Sequence, residues 1–281
     1  MKTRDVLGCV CVLLASATGC IAPDLSTAAD PGEEEIDSSA EALASGNALS
    51  LNALSLNALS LNALSLNALS LNALGAEALD ALQDPGEEGE LVRQLVKYTV
   101  SCALDESRSF RFAWTDAAGS THEEVYRGQL GLADSWRRGP LDDAGKQMVS
   151  ACLAARTNRY GVSVVISMRS HQDPLRHEVG RDERETYPHV EGAFWGDLFS
   201  ETPYLRACYN DASVARARAA QRDCAAGQLD AAGELASCGM IEIVGSCQER
   251  CGRLHPPGQY YKDCRDPESG KTRFVVTTAL R

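Results

Sequence analysis

The sequence predicts an α+β fold: a single disulfide-stapled domain with a mixed or antiparallel sheet and a few helices, after a low-complexity stalk. Three observations predict it. Residues 91–281 mix stretches of helical spacing with short alternating or β-branched runs. Their 191 residues suffice for a single core. Eight cysteines, an even number, fall within them.

In chain order, residues 91–104 are apolar and end in Val-Ser-Cys, which predicts a short helix running into a strand. Over 109–114, Phe110, Phe112 and Trp114 alternate with Ser109, Arg111 and Ala113, the pattern of a half-buried strand. Residues 123–128 suggest another. Over 142–160, Met148, Cys152 and Ala155 recur at helical spacing, as do Val149 and Leu153, and Gly161 stands as the stop. The β-branched run 162–168 predicts a buried strand. Residues 191–199 are rich in aromatics and suggest a short helix; 213–221 suggest another. Residues 240–244 and 274–279 read as late strands flanking a cysteine-rich loop. A bridge from Cys102 to Cys152 would join the early strand to the main helix. Residues 224–264 lack long apolar runs, so cross-links are expected to hold that region.

Lys2 and Arg4 precede an apolar stretch of 12 residues, 6–17, too short to span a bilayer as a stable helix. Ala17-Thr18-Gly19-Cys20 follows and resembles the lipobox of bacterial lipoproteins, with Ala17 where leucine is commoner. The resemblance implies a signal peptide over residues 1–19 and lipid on Cys20. Cleavage after Ala17 would instead release a secreted soluble chain. Of 11 cysteines, Cys9 and Cys11 would leave with the signal. Cys102, Cys152, Cys208, Cys224, Cys238, Cys247, Cys251 and Cys264 remain as disulfide candidates in an oxidising compartment. Only Cys247 and Cys251 have zinc-like spacing, so no metal and no cofactor is expected.

The formal net charge of −12 is uneven. Residues 21–90 hold 13 acidic side chains and neither Lys nor Arg, which leaves 91–281 neutral. The charge divides the region ahead of the domain into an acidic linker, 20–46, a repeat, 47–74, and a second acidic linker, 75–90. An acidic stalk is repelled by an anionic membrane surface, and a neutral domain gives no electrostatic case for nucleic acid. The repeat is Asn-Ala-Leu-Ser-Leu, headed by Asn47, Asn52, Asn57, Asn62, Asn67 and Asn72. A period of five forms neither a helical stripe nor a one-faced strand. It is the period of pentapeptide-repeat β-helices, but Asn and Ala stand here in reverse order, and a low-complexity spacer is favoured. Its leucines argue against a fully solvated coil: it would pack on itself, on the domain or on a partner.

His171, His177 and His189, with Glu191, lie in one polar stretch and are the best candidates for acid-base or metal chemistry. Their spacing matches no zinc motif, and an exposed loop is the competing reading. There is no Gly-x-Ser-x-Gly and no glycine-rich phosphate loop. Residues 191–199 would be core if buried and a sugar- or peptide-binding platform if exposed.

The lipobox, the Asn/Leu-rich pentads and a cysteine-containing domain together resemble a set of uncharacterised predicted bacterial lipoproteins. The residues that carry the likeness are Gly131-Leu132-Ala133, residues 151–158 (Ala-Cys-Leu-Ala-Ala-Arg-Thr-Asn) with Tyr160-Gly161, and Glu191-Gly192-Ala193-Phe194 with Gly196. The resemblance covers most of 91–281 and implies no activity. The expectation is a lipid-anchored envelope or cell-surface protein with a binding or structural domain, more readily a non-enzyme than an enzyme. Outer membrane is favoured over inner, since Ile21 rather than Asp follows Cys20. Its partners would be the membrane, through the lipid, and an envelope protein or glycan. The alternatives are an exported hydrolase using His171, His177, His189 and Glu191, and a partner-binding or inhibitory module presented on the stalk.

Overall fold

The computed structural model describes residues 44–45, 48–50, 53–54, 75–175, 180–256, 259–268, 270 and 272–281. The expected signal peptide (1–19), Cys20, most of linker 20–46, repeat residues 47, 51–52 and 55–74, and His177 lie outside the described residues. The elements run β1 (Ala44–Ser45), α1 (Ala76–Gln83), α2 (Glu87–Ala103), β2 (Ser109–Thr115), β3 (Thr121–Arg127), α3 (Asp143–Arg156), β4 (Ile166–Arg169) and α4 (Arg181–Thr186). Then follow β5 (His189–Asp197), β6 (Tyr204–Tyr209), α5 (Val214–Ala219), α6 (Asp223–Ala226), β7 (Gln228–Leu229), β8 (Leu235–Ala236), β9 (Ile241–Ser246), α7 (Cys247–Arg250), β10 (Cys264–Arg265), β11 (Thr272–Arg273) and β12 (Val276–Leu280).

A six-stranded sheet in the order β1-β4-β12-β5-β6-β9 organises the domain. Its pairs are antiparallel except β6 with β9, which run parallel. The sheet is therefore mixed. Both faces are covered, so β12 is buried along its whole length and β5 at every residue but its ends. On one face α3 packs across β5, β12 and β6, and α2 packs on α3. Val149, Leu153, Phe194, Leu205 and Val276 meet there. On the other face Val190, Trp195, Val244, Tyr261 and Val275 are covered by the late cysteine-bearing segment.

Helix α3 begins on Asp142, whose carboxylate accepts from Gly145 N at 2.7 Å and satisfies one donor of the first turn. Helix α2 opens with Glu87, Glu88 and Glu90 beside the positive end of its dipole. Arg93, one and a half turns on, donates to the carbonyls of Leu82 and Asp84 at 3.1 and 2.6 Å, so it satisfies acceptors left open where α1 ends. The turn between them requires Gly89, because a Cβ there would lie 2.0 Å from the Asp84 carbonyl oxygen. The hairpin β2–β3 lays Phe110, Phe112 and Tyr126 against the core beside these helices.

Four disulfides join Cys102 to Cys152, Cys208 to Cys247, Cys224 to Cys238 and Cys251 to Cys264. All eight candidates are thus paired. No helix among the described residues is long and apolar enough to cross a membrane.

Several elements differ from the sequence expectation. Cys102 lies on a helix, so its bridge staples α2 to α3 rather than a strand to a helix. Residues 99–103 stay helical although they include Thr99 and Val100, because one face packs on α3; Thr99 Oγ1 meets its hydrogen-bonding need locally by donating to the Leu95 carbonyl at 2.8 Å. The stretch 75–90 carries α1 and the start of α2. Helix α3 stops at Arg156, short of Gly161, because Thr157 turns extended and pairs elsewhere. The strand expected over 162–168 is ordered as β4 only from Ile166, and Val162 and Val165 are exposed. Residues 191–199 are not a helix: 191–197 form most of the central strand β5 and 198–199 turn; burial on both faces removes the alternation that identifies a strand.

Candidate functional site: where the repeat docks

The sequence-nominated site residues do not form one site among the described residues. His171 is partly buried after β4, with Nε2 2.6 Å from Gln172 Nε2, and His189 is partly buried at the start of β5. Glu191 is wholly buried. The β5–β12 register passes from Gly192↔Thr278 to Val190↔Ala279, which leaves Glu191 as the extra residue of a β-bulge. The bulge places Val190 with Ala193 and Trp195 on the disulfide face. Glu191 meets Arg222, whose Nη2 lies 2.7 Å from Oε1 with neither side chain exposed. Arg222 also donates to the carbonyls of Ala155 at 2.8 Å and Thr157 at 3.0 Å. The carboxylate expected to assist an imidazole is therefore a structural counter-ion at the end of α3. The aromatic residues Phe194, Trp195 and Phe199 are buried, so this run is core and not an exposed platform.

Around that same helix end the structure builds a site that no sequence motif announced. Residues at the end of linker 20–46 and in the first two pentads pack on the domain. Ala44 and Ser45 form β1 against β4, pairing with Ser167 and Ile166. Ala48 N donates to the Tyr98 hydroxyl at 3.0 Å. Leu49 bridges to Thr157 in parallel, and Asn158 N donates to the Leu49 carbonyl at 3.0 Å. Ser50 Oγ donates to Gln94 Oε1 at 2.7 Å and accepts from Ala53 N at 3.1 Å, while Leu54 N donates to the Ser50 carbonyl. Ser50 thereby caps the helical residues Ala53 and Leu54. Leu49, Ala53 and Leu54 are 0% exposed and belong to the core of α2 and α3. Burial of each leucine is worth roughly 1.5–3 kcal/mol.

The walls of this slot are held by buried and part-buried polar contacts. The Arg156 guanidinium lies 4.5 Å from the Tyr98 ring centroid and donates to Ser101 Oγ at 2.7 Å, so the ring is fixed from behind. Asn158 Nδ2 donates to the Gln221 carbonyl, its Oδ1 accepts from Tyr160 N at 2.8 Å, and the Tyr160 hydroxyl bonds Asp223. Residues 151–158 and Glu191-Gly192, far apart in the chain, therefore converge here. The arrangement can recognise a peptide that is extended at Ala48-Leu49 and helical at Ala53-Leu54: backbone is read by Tyr98, Thr157 and Asn158, a serine by Gln94, and two leucines and an alanine by the apolar floor. The only sequence signal that could have located it is the leucine content of the repeat.

Cavities also lie elsewhere among the described residues. One of about 440 Å³ is lined by Asn210, Asp211, Gln248, Arg253 and Tyr261. One of about 850 Å³ is lined by Asp105, Glu106, Gln129, Asp134 and Pro174. In the second, the Ser107 hydroxyl and amide hold Asp105 below the usual carboxylate range. Neither is lined by a histidine or a cysteine. The sulfurs of Cys208, Cys251 and Cys264 lie within 4.8 Å of one another, but each is already bonded in a bridge. No protein-family model, no curated protein and no solved structure matches this chain.

Proposed function

We propose that this chain is an exported, lipid-anchored envelope or cell-surface protein whose disulfide-stabilised domain binds or contributes structure without catalysis. The observation that carries the reading is the pairing of all eight domain cysteines into four bridges, since such bridges persist where thiols are not kept reduced. The small-residue approach to Cys20 supports a lipid as the anchor, with the outer membrane preferred to the inner. The neutral charge of 91–281 favours an envelope protein or glycan over nucleic acid as partner. The Glu191–Arg222 pair counts against the hydrolase alternative, because it occupies the carboxylate that chemistry would use.

Mass spectrometry of the membrane fraction tests the proposal. The expected mature chain starts at Cys20 with a mass increment for acyl chains and has no titratable thiol in residues 91–281. An intact chain in the cytosol with free thiols would overturn it.

A further inference from the structure

The slot holds Ala48-Leu49-Ser50 and Ala53-Leu54, and the sequence repeats the heptapeptide Ala-Leu-Ser-Leu-Asn-Ala-Leu without change at 48–54, 53–59, 58–64, 63–69 and 68–74. We propose that the slot on α2 and α3 is a degenerate peptide-binding site that accepts these copies interchangeably, so the domain can dock on its own stalk in more than one register.

The recognition contacts are the reason. The described ones are to backbone atoms of Ala48 and Leu49, to one serine hydroxyl and to the side chains of Leu49, Ala53 and Leu54. Every one of those groups recurs five residues later, in the same order. The β1–β4 ladder imposes no further sequence requirement, because Ala44↔Ser167 and Ser45↔Ile166 pair through main chain. A shift by one unit would place Leu49-Ser50 on that ladder, with the serine again at the second position. Tethering to the same polypeptide gives each copy an effective concentration far above that of another molecule, so the occupant is this chain's own repeat. Loop closure separates the registers only weakly: halving the stretch between the docked copy and α1 changes the closure probability by about threefold. Each shift moves five residues from one side of the slot to the other. The length of chain between Cys20 and the domain thereby becomes adjustable. The inference does not depend on whether Cys20 carries lipid.

A thermodynamic cycle on the full chain tests it. Leu49→Asp is made in the natural sequence and in a variant whose residues 55–74 are replaced by a Gly/Ser segment of equal length. In the natural sequence another copy replaces the damaged one. The expected loss of Tm from Leu49→Asp is then within about 2 °C, and the Asn158 amide stays protected from hydrogen exchange. In the Gly/Ser variant the same substitution is expected to lower Tm by on the order of 5 °C or more and to expose that amide. Gln94→Ala with Tyr98→Phe, which alters the slot rather than the ligand, should weaken docking in both chains. Equal losses in the two backgrounds, or an exposed Asn158 amide in the natural sequence carrying Leu49→Asp, would overturn the proposal.

Discussion

Arg222 Nη2 lies 2.7 Å from Glu191 Oε1 in full burial, and the same guanidinium closes the end of α3 by bonding the carbonyls of Ala155 and Thr157. One charged group thus ties the central strand, the main helix and the segment leading into α6. It also orients Thr157, the residue that bridges to Leu49. The bulge at Glu191 makes this contact: without the extra residue the carboxylate would face the disulfide side of the sheet.

Removing one partner leaves the other charge buried and alone. Glu191→Ala and Arg222→Met are each expected to destabilise the domain by about 3–5 kcal/mol, whereas replacing both with apolar residues should recover part of that loss. Urea unfolding of the single and double variants measures it. Single variants as stable as the parent would show that the pair contributes nothing.

Gly192 follows the bulge, and a Cβ there would stand 2.3 Å from the Cys208 carbonyl oxygen. That contact is to backbone on the neighbouring strand, so no side-chain rotation relieves it. Gly192→Ala is expected to cost about 1–3 kcal/mol and to perturb formation of the Cys208–Cys247 bridge. Disulfide mapping and thermal melting check both effects; an unchanged melt would mean that β6 shifts freely.

The bridges are unevenly placed: three of the four lie between Cys208 and Cys264. The Cys102–Cys152 bridge closes the longest loop, with a separation of 50 residues. In the chain-entropy model it is worth about 4 kcal/mol, against about 3 for the bridges that close the shortest loops. The helices it joins nevertheless pack through a large apolar cluster, whereas α7, β10 and β11 are short. After full reduction, hydrogen-exchange protection is therefore expected to fall further over 208–281 than over 91–170. Equal loss in both regions would contradict this.

Burial pushes the Tyr261 phenol up to about 12, with Asp211 adding to the rise. Its folded-state pKa lies above the unfolded value of about 10. The stability linked to the neutral ring is therefore complete below about pH 10 and is lost as pH rises through about 12. Tyr126, raised by desolvation too, adds to the same alkaline loss. Tyr261→Phe should flatten the alkaline limb of a stability–pH curve and leave the neutral region little changed. A limb of unaltered slope would remove Tyr261 from this account.

The sequence by itself determined the class of the fold, the even set of cysteines, the helix at Met148–Leu153 and the strand at Phe110–Trp114, because these rest on local periodicity and composition. It also exposed the repeat, whose identical copies need no structure to be seen. Tertiary structure decided what local pattern cannot encode. It made 191–197 a strand, since burial on both faces erases alternation. It assigned Glu191 to Arg222, a partner 31 residues away. It also gave residues of the first two pentads a place in the core, because the surface that receives Leu49 and Leu54 exists only once α2 and α3 have packed together.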